Sequence, residues 1–147
     1  MNKQPISNRL AFYGAWAGVA TGVLVLAGWW MNIPSARQLF LASGEVKANT
    51  GLLFVLFGLA MLWQPGSPRG AGWKRSWICI GLGSAVAWLT LLEYWTGNTF
   101  GIDEALIPDW TSGDGREPGR MSDKSALGFA LLGAALIVLQ GHAKSSW

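Results

Sequence analysis

The chain predicts an all-α integral membrane protein of four transmembrane helices, and three observations carry that expectation. Of its 147 residues, 51% are hydrophobic and only 13% charged, outside the usual range of a soluble domain. The charges that exist fall between long apolar runs rather than within them. The chain is also rich in glycine (20) and tryptophan (10), the residues used where membrane helices touch and where they cross the headgroup region. A single domain is expected at this length.

The first span covers 10–31. No charged residue lies between Arg9 and Arg37, and a helix rising 1.5 Å per residue crosses about 30 Å of hydrocarbon in that distance. Trp29-Trp30-Met31-Asn32 follows it where a signal peptide would carry small residues, so a retained helix is expected. The second span covers 49–64 and is stopped by Pro65-Gly66-Ser67-Pro68, which removes donors and sets turn geometry. The third covers 76–95 and the fourth 125–141, with Ser122 or Asp123 as helix cap and Asn49 as cap of the second. The outer loops each hold a short amphipathic piece, Ile33 to Leu41 and Gly101 to Ile107. In the latter, Asp103 and Glu104 suit a helix N-terminus.

Orientation follows from lysine and arginine. Lys3, Arg9, Arg69, Lys74, Arg75 and Lys144 lie on one side with no acid among them. All eight acids of the chain lie on the other. Both termini are therefore expected in the cytoplasm. Tryptophans fit the same frame: Trp29, Trp30 and Trp95 as anchors at the outer edge, Trp63, Trp73 and Trp77 at the inner edge. Trp16 and Trp88 fall deeper, as lipid-facing or packing bulk.

A helical hairpin recurs. Val46–Ala60 aligns without gaps on Met121–Ala135, matching Leu52, Phe54, Leu56, Gly58 and Ala60 to Leu127, Phe129, Leu131, Gly133 and Ala135. The fold expected is two similar hairpins related by an axis along the membrane normal.

Three segments carry a likeness to a known family: Gly101-Ile102-Asp103-Glu104 after the third helix, Pro118-Gly119-Arg120-Met121-Ser122 before the fourth helix, and Val46-Lys47-Ala48-Asn49-Thr50 before the second helix. With them the chain resembles the N-terminal membrane regions of bacterial sensor histidine kinases and diguanylate cyclases. The likeness covers nearly the whole chain, with Asp123-Lys124-Ser125 departing from the proline, asparagine and threonine of the pattern. It implies the bacterial inner membrane and a sensory input role, and carries over no ligand residues.

Chemistry-bearing motifs are sparse. The lone cysteine, Cys79, sits in an apolar run and reads as packing. His142 is the single histidine and reads as an exposed residue at the inner edge. Glu93 is the one acid inside an expected span and reads as solvated or paired with a cation. No nucleophile with its base, metal set, phosphate loop or buried carboxylate pair is legible, so no catalysis, cofactor or metal is expected. The net charge of +3 is spread between apolar runs, not along a nucleic-acid stripe. Partners are expected to be lipids and other integral membrane proteins. Gly14, Gly18 and Gly22 on the first helix and Ala126, Ala130 and Ala134 on the fourth make small-residue rows, one of which is expected to pack inside the bundle, the alternative being that the glycine row receives a helix of another protein. With no output domain after the fourth helix in this sequence, the function expected first is a non-catalytic accessory subunit of a respiratory or photosynthetic type of complex. The alternative is a sensory input module.

Overall fold

The structure is a computed structural model and describes residues 6–37, 45–63, 70–109 and 117–145. These residues are all-helical, with no strand among them: α1 (Ile6–Trp30), α2 (Pro34–Arg37), α3 (Ala48–Trp63), α4 (Ala71–Thr96) and α5 (Asp123–Ser145). Three helices are long and apolar enough to cross a membrane: α1, α4 and α5, with apolar stretches of 22, 26 and 20 residues. The fourth expected span, α3, is shorter at 16 residues, about 24 Å of helix.

The packing partners fix the topology of the bundle. A β-carbon at Gly51 of α3 would meet Val25 of α1, while one at Gly58 would meet Ala15 and Val19, so α1 and α3 are antiparallel. Ser76 of α4 donates a hydrogen bond to the Ala60 carbonyl of α3, and Gly83 lies against Phe57. Tyr94 donates to the Met121 carbonyl just before α5, while Gln140 at the far end of α5 donates to Ser76. Each helix therefore reverses the one before, and α3 sits in the middle, touching α1, α4 and α5.

The main core follows from that centre. Leu53, Phe57 and Ala60 of α3 pack with Ile80 and Ala87 of α4 and with Ala126, Phe129, Ala130 and Leu136 of α5. Phe57 and Phe129 stack with ring centroids 5.8 Å apart, and Phe54 meets Phe129 edge-on at 5.1 Å, the offset and T-shaped geometries that ring quadrupoles favour. Cys79 is buried in this core. A further cluster, Val25, Trp29 and Ala48, closes the α1–α3 pair at the end where α1 stops and α3 begins.

Several local expectations are corrected. Ser122 does cap α5, its hydroxyl accepting from the Ser125 N–H at 3.1 Å, but Asn49 does not cap α3. Asn49 is buried inside the helix and spends its amide on carbonyls of another segment. Gly101 to Ile107 is not a helix. Gly101 has φ +75°, and the Asn49 amide donates to the Ile102 and Asp103 carbonyls at 3.1 and 3.2 Å, tying the segment to α3. In the first loop one turn of helix forms, Pro34–Arg37; the rest of the expected piece, through Leu41, lies outside the described residues.

Candidate functional site

At the end where α1 and α4 finish and α3 and α5 begin, backbone and side chains build an ionic cluster. Gly97 ends α4 in the left-handed conformation, φ +70°, and its N–H caps the Glu93 carbonyl at 2.9 Å, an αL helix stop. The chain then doubles back, so that the Phe100 N–H donates to Glu93 Oε1 at 2.7 Å. Glu93, one turn inside the helix, is left fully buried.

Gly119 brings the opposite charge in. Its φ of +70° suits glycine, and a β-carbon there would sit 2.5 Å from the Asp103 carbonyl oxygen. Only a bare backbone can approach so closely, and that approach seats Arg120 beside two carboxylates. Its Nε donates to Asp103 Oδ2 at 2.8 Å and lies 3.6 Å from Glu93 Oε2. The Arg120 and Asp103 side chains are each 8% exposed. The guanidinium also stands 5.6 Å from the Tyr94 ring centroid, within cation–π range. Burial works against the charged form of Arg120, but its hydrogen bond with Asp103 and the charges of Asp103, Glu93 and Glu117 outweigh that and push its pKa upward.

Another ion pair extends the cluster. Lys47 Nζ lies 2.5 Å from Asp109 Oδ2, with the Asp109 side chain wholly buried, and Asp109 also accepts from the Gly119 N–H at 2.8 Å. Trp29 sits next to it, donating its indole N–H to the Val46 carbonyl at 2.7 Å. Arg37 and Lys47 lie 4.9 and 5.6 Å from its ring, and Arg37 pairs with Glu45 at 3.5 Å. Lys47 and Asn49 before and at the start of α3, Asp103 and Asp109 after α4, and Gly119 and Arg120 before α5 are thereby tied together. All of these but Asp109 lie in the three segments singled out in the sequence as separate motifs.

The expected site residues distribute differently. Gly22 is pressed against Gly51 and Val55 of α3, Gly18 meets Phe54 and Gly58 at ordinary distance, and Gly14 has open space around it. Ala126 and Ala130 are buried, whereas Ala134 faces outward and Gly133 takes the close approach to Ser84. An i, i+4 row drifts around a helix of 3.6 residues per turn, so a straight row in sequence leaves the contact after two turns. Among the tryptophans, Trp30 and Trp95 are exposed, Trp63, Trp73 and Trp77 half-buried, and Trp29 buried in the cluster. Trp73 and Trp77 meet edge-on at 5.9 Å, and Arg75 lies over Trp63 at 5.9 Å. Trp16 and Trp88 point outward, each more than half exposed. His142 is exposed, its Nδ1 at 2.8 Å from the Val138 carbonyl.

Of the two environments expected for Glu93, solvated or cation-paired, the latter is found. What sequence reading missed was its partner: Arg120 and Asp103 are 27 and 10 residues away in numbering, and nothing along the chain joins them to Glu93. The available signal was that both lie within the motif segments. Among the described residues no group of three or more histidine, cysteine or acidic side chains could hold a metal ion. No protein-family model matches this chain, and no curated protein or solved structure matches it at a significant level.

Proposed function

We propose that this chain is the membrane-embedded sensory input region of a signalling protein, crossing the membrane four times with both ends in the cytoplasm, and that the ionic cluster is its responsive element. One observation carries the reading: the three segments that resemble sensor kinase and cyclase input regions meet in a single buried cluster. A helical bundle gains little from such a cluster, because desolvating ions costs about as much as their attraction returns. Its position suits response instead. It joins the starts of α3 and α5 to the end of α4 through the segments 98–109 and 117–121, so a change in its charge alters how three helices are held. A stimulus that interacts differently with two such arrangements shifts their populations, and the helices carry the shift across the membrane.

The alternative of an accessory subunit draws on the outward face of α1, which packs only on α3 among long helices and exposes Leu10, Phe12, Tyr13 and Trp16. Lipid satisfies such a face equally well, and an accessory role leaves the cluster without a task. Gentle detergent extraction from the native membrane, followed by mass spectrometry of what co-purifies, separates the two. Recovery with a histidine kinase or cyclase, or within a longer product bearing one, is expected. A stoichiometric respiratory or photosynthetic complex would establish the accessory role in its place.

A further inference from the structure

The two long hairpins, α1 with α3 and α4 with α5, meet in the same register. A β-carbon at Gly58 would meet Val19 of α1, and one at Gly133 would meet Ser84 of α4. Trp29 of α1 donates to the Val46 carbonyl at 2.7 Å, and Tyr94 of α4 donates to the Met121 carbonyl at 2.9 Å. The gap-free alignment of Val46–Ala60 on Met121–Ala135 pairs Val46 with Met121 and Gly58 with Gly133. On the other arm, Val19 and Trp29 each precede their counterparts, Ser84 and Tyr94, by 65 residues. Each position on α1 thus has a match on α4, and each position on α3 a match on α5.

That correspondence singles out two faces with nothing packed on them. Within the chain, α3 of the first hairpin lies on α4 of the second. Phe57 stands against Gly83, the Ala60 carbonyl accepts from Ser76 at 2.8 Å, and Cys79, between those two positions of α4, is buried. The counterparts of Ser76, Cys79 and Gly83 on α1 are Ala11, Gly14 and Gly18. Ala11 and Gly14 are exposed, Gly18 is half-buried, and a β-carbon at Gly14 would meet nothing within 4 Å. The counterparts of Phe57 and Ala60 on α5 are Leu132 and Ala135, both exposed. Both halves of the α3–α4 contact are therefore present a second time, unused, on α5 and on α1. They do not meet within one chain, because α3 stands between α1 and α5, which make no contact among the described residues.

We propose that two copies of this chain pair side by side in the membrane, Leu132 and Ala135 of each packing on Ala11, Gly14 and Gly18 of the other. The reciprocal contact closes after two chains, as a two-fold axis along the membrane normal requires. In it α5 and α1 run antiparallel, as α3 and α4 do. Shape favours the pairing: leucine faces glycine where Phe57 faces Gly83, and alanine faces alanine where Ala60 meets Ser76. Helices in lipid associate through close backbone approach and dispersion, which bare backbone opposite a branched side chain provides. Cys79 holds the position on α4 that Gly14 holds on α1, so the contact has room for a small side chain there. Phe12 and Trp16 project from the other side of α1 by the 3.6-residue period and stay toward lipid. The complementary face is already on the chain, so no other protein is needed to cover it. This inference does not rest on the reading of the ionic cluster.

The test uses the full chain in lipid vesicles, with Cys79→Ala in every copy so that no native thiol remains. Copies carrying Ala11→Cys and copies carrying Ala135→Cys are mixed under distinct tags and exposed to a mild oxidant. A disulfide joining the two tags is expected, and none when either substitution is present alone. Förster transfer between labelled copies measures pairing without cross-linking. Ala135→Trp, at a position exposed in the single chain, is expected to raise the dissociation constant about tenfold or more by overfilling the contact. Ala134→Trp, turned about 100° round the helix, should leave it unchanged. The proposal is overturned by copies that remain single, by a disulfide from Ala11→Cys alone, which would place α1 on α1, or by equal effects of the two tryptophans. None of these outcomes bears on what co-purifies from the native membrane, so the input-module reading stands or falls separately.

Discussion

Arg120 and Asp103, seventeen residues apart, are joined at 2.8 Å with both side chains more than nine-tenths buried. Removing one member of such a pair strands the other in a medium that solvates charge poorly. Arg120→Ala is expected to lower stability by about 3 kcal/mol, and Arg120→Ala with Asp103→Asn by less than the sum of the single changes. Unfolding in mixed detergent micelles measures both. Additive effects would show that the two side chains do not interact.

The α1–α3 contact makes a graded prediction for the glycine row. A β-carbon at Gly22 would press on Gly51 and Val55, and one at Gly58 would come within 2.8 Å of the Ala15 carbonyl. Gly22→Ala and Gly58→Ala should each destabilise by about 1–3 kcal/mol through overpacking, while Gly14→Ala should be neutral or slightly stabilising because nothing stands near it and alanine favours helix. Equal effects at Gly14 and Gly22 would mean that α1 packs on a different face.

At the opposite end, Gln140 donates to Ser76, which donates to the Ala60 carbonyl, linking α5, α4 and α3. Interhelical hydrogen bonds in membrane proteins contribute about 0.6 kcal/mol on average and about 1.7 at most. Ser76→Ala should therefore cost far less than Arg120→Ala under the same conditions. A loss as large as that of Arg120→Ala would identify Ser76 as another critical node.

Topology makes the fourth prediction. With the acids gathered on one side of the chain and Lys3, Arg9, Lys74 and Arg75 on the other, a reporter fused after Trp147 should be active only in the cytoplasm, and one inserted at Gly113 only outside. Activity of the C-terminal fusion on the outside would rule out an even number of crossings from a cytoplasmic start.

The sequence by itself determined that this is a helical chain with membrane-length apolar helices, and approximately where those helices lie, because hydrophobicity and the scarcity of charge are properties of contiguous residues. Ser122 as cap of α5 was legible for the same reason, its partner Ser125 being three residues on. The tertiary structure alone decided which of the small residues face inward, since a 3.6-residue period carries Gly14 and Ala134 off faces that Gly22 and Ala130 occupy. It decided too that Asn49 serves carbonyls 53 and 54 residues away instead of its own helix end. Glu93 shows the division most clearly. Its place one turn from the end of an apolar helix can be read along the chain, but the Phe100 amide, Asp103 and Arg120 reach it only because Gly97 and Gly119 turn the backbone there, and the charge on a buried carboxylate depends on neighbours that sequence distance does not rank.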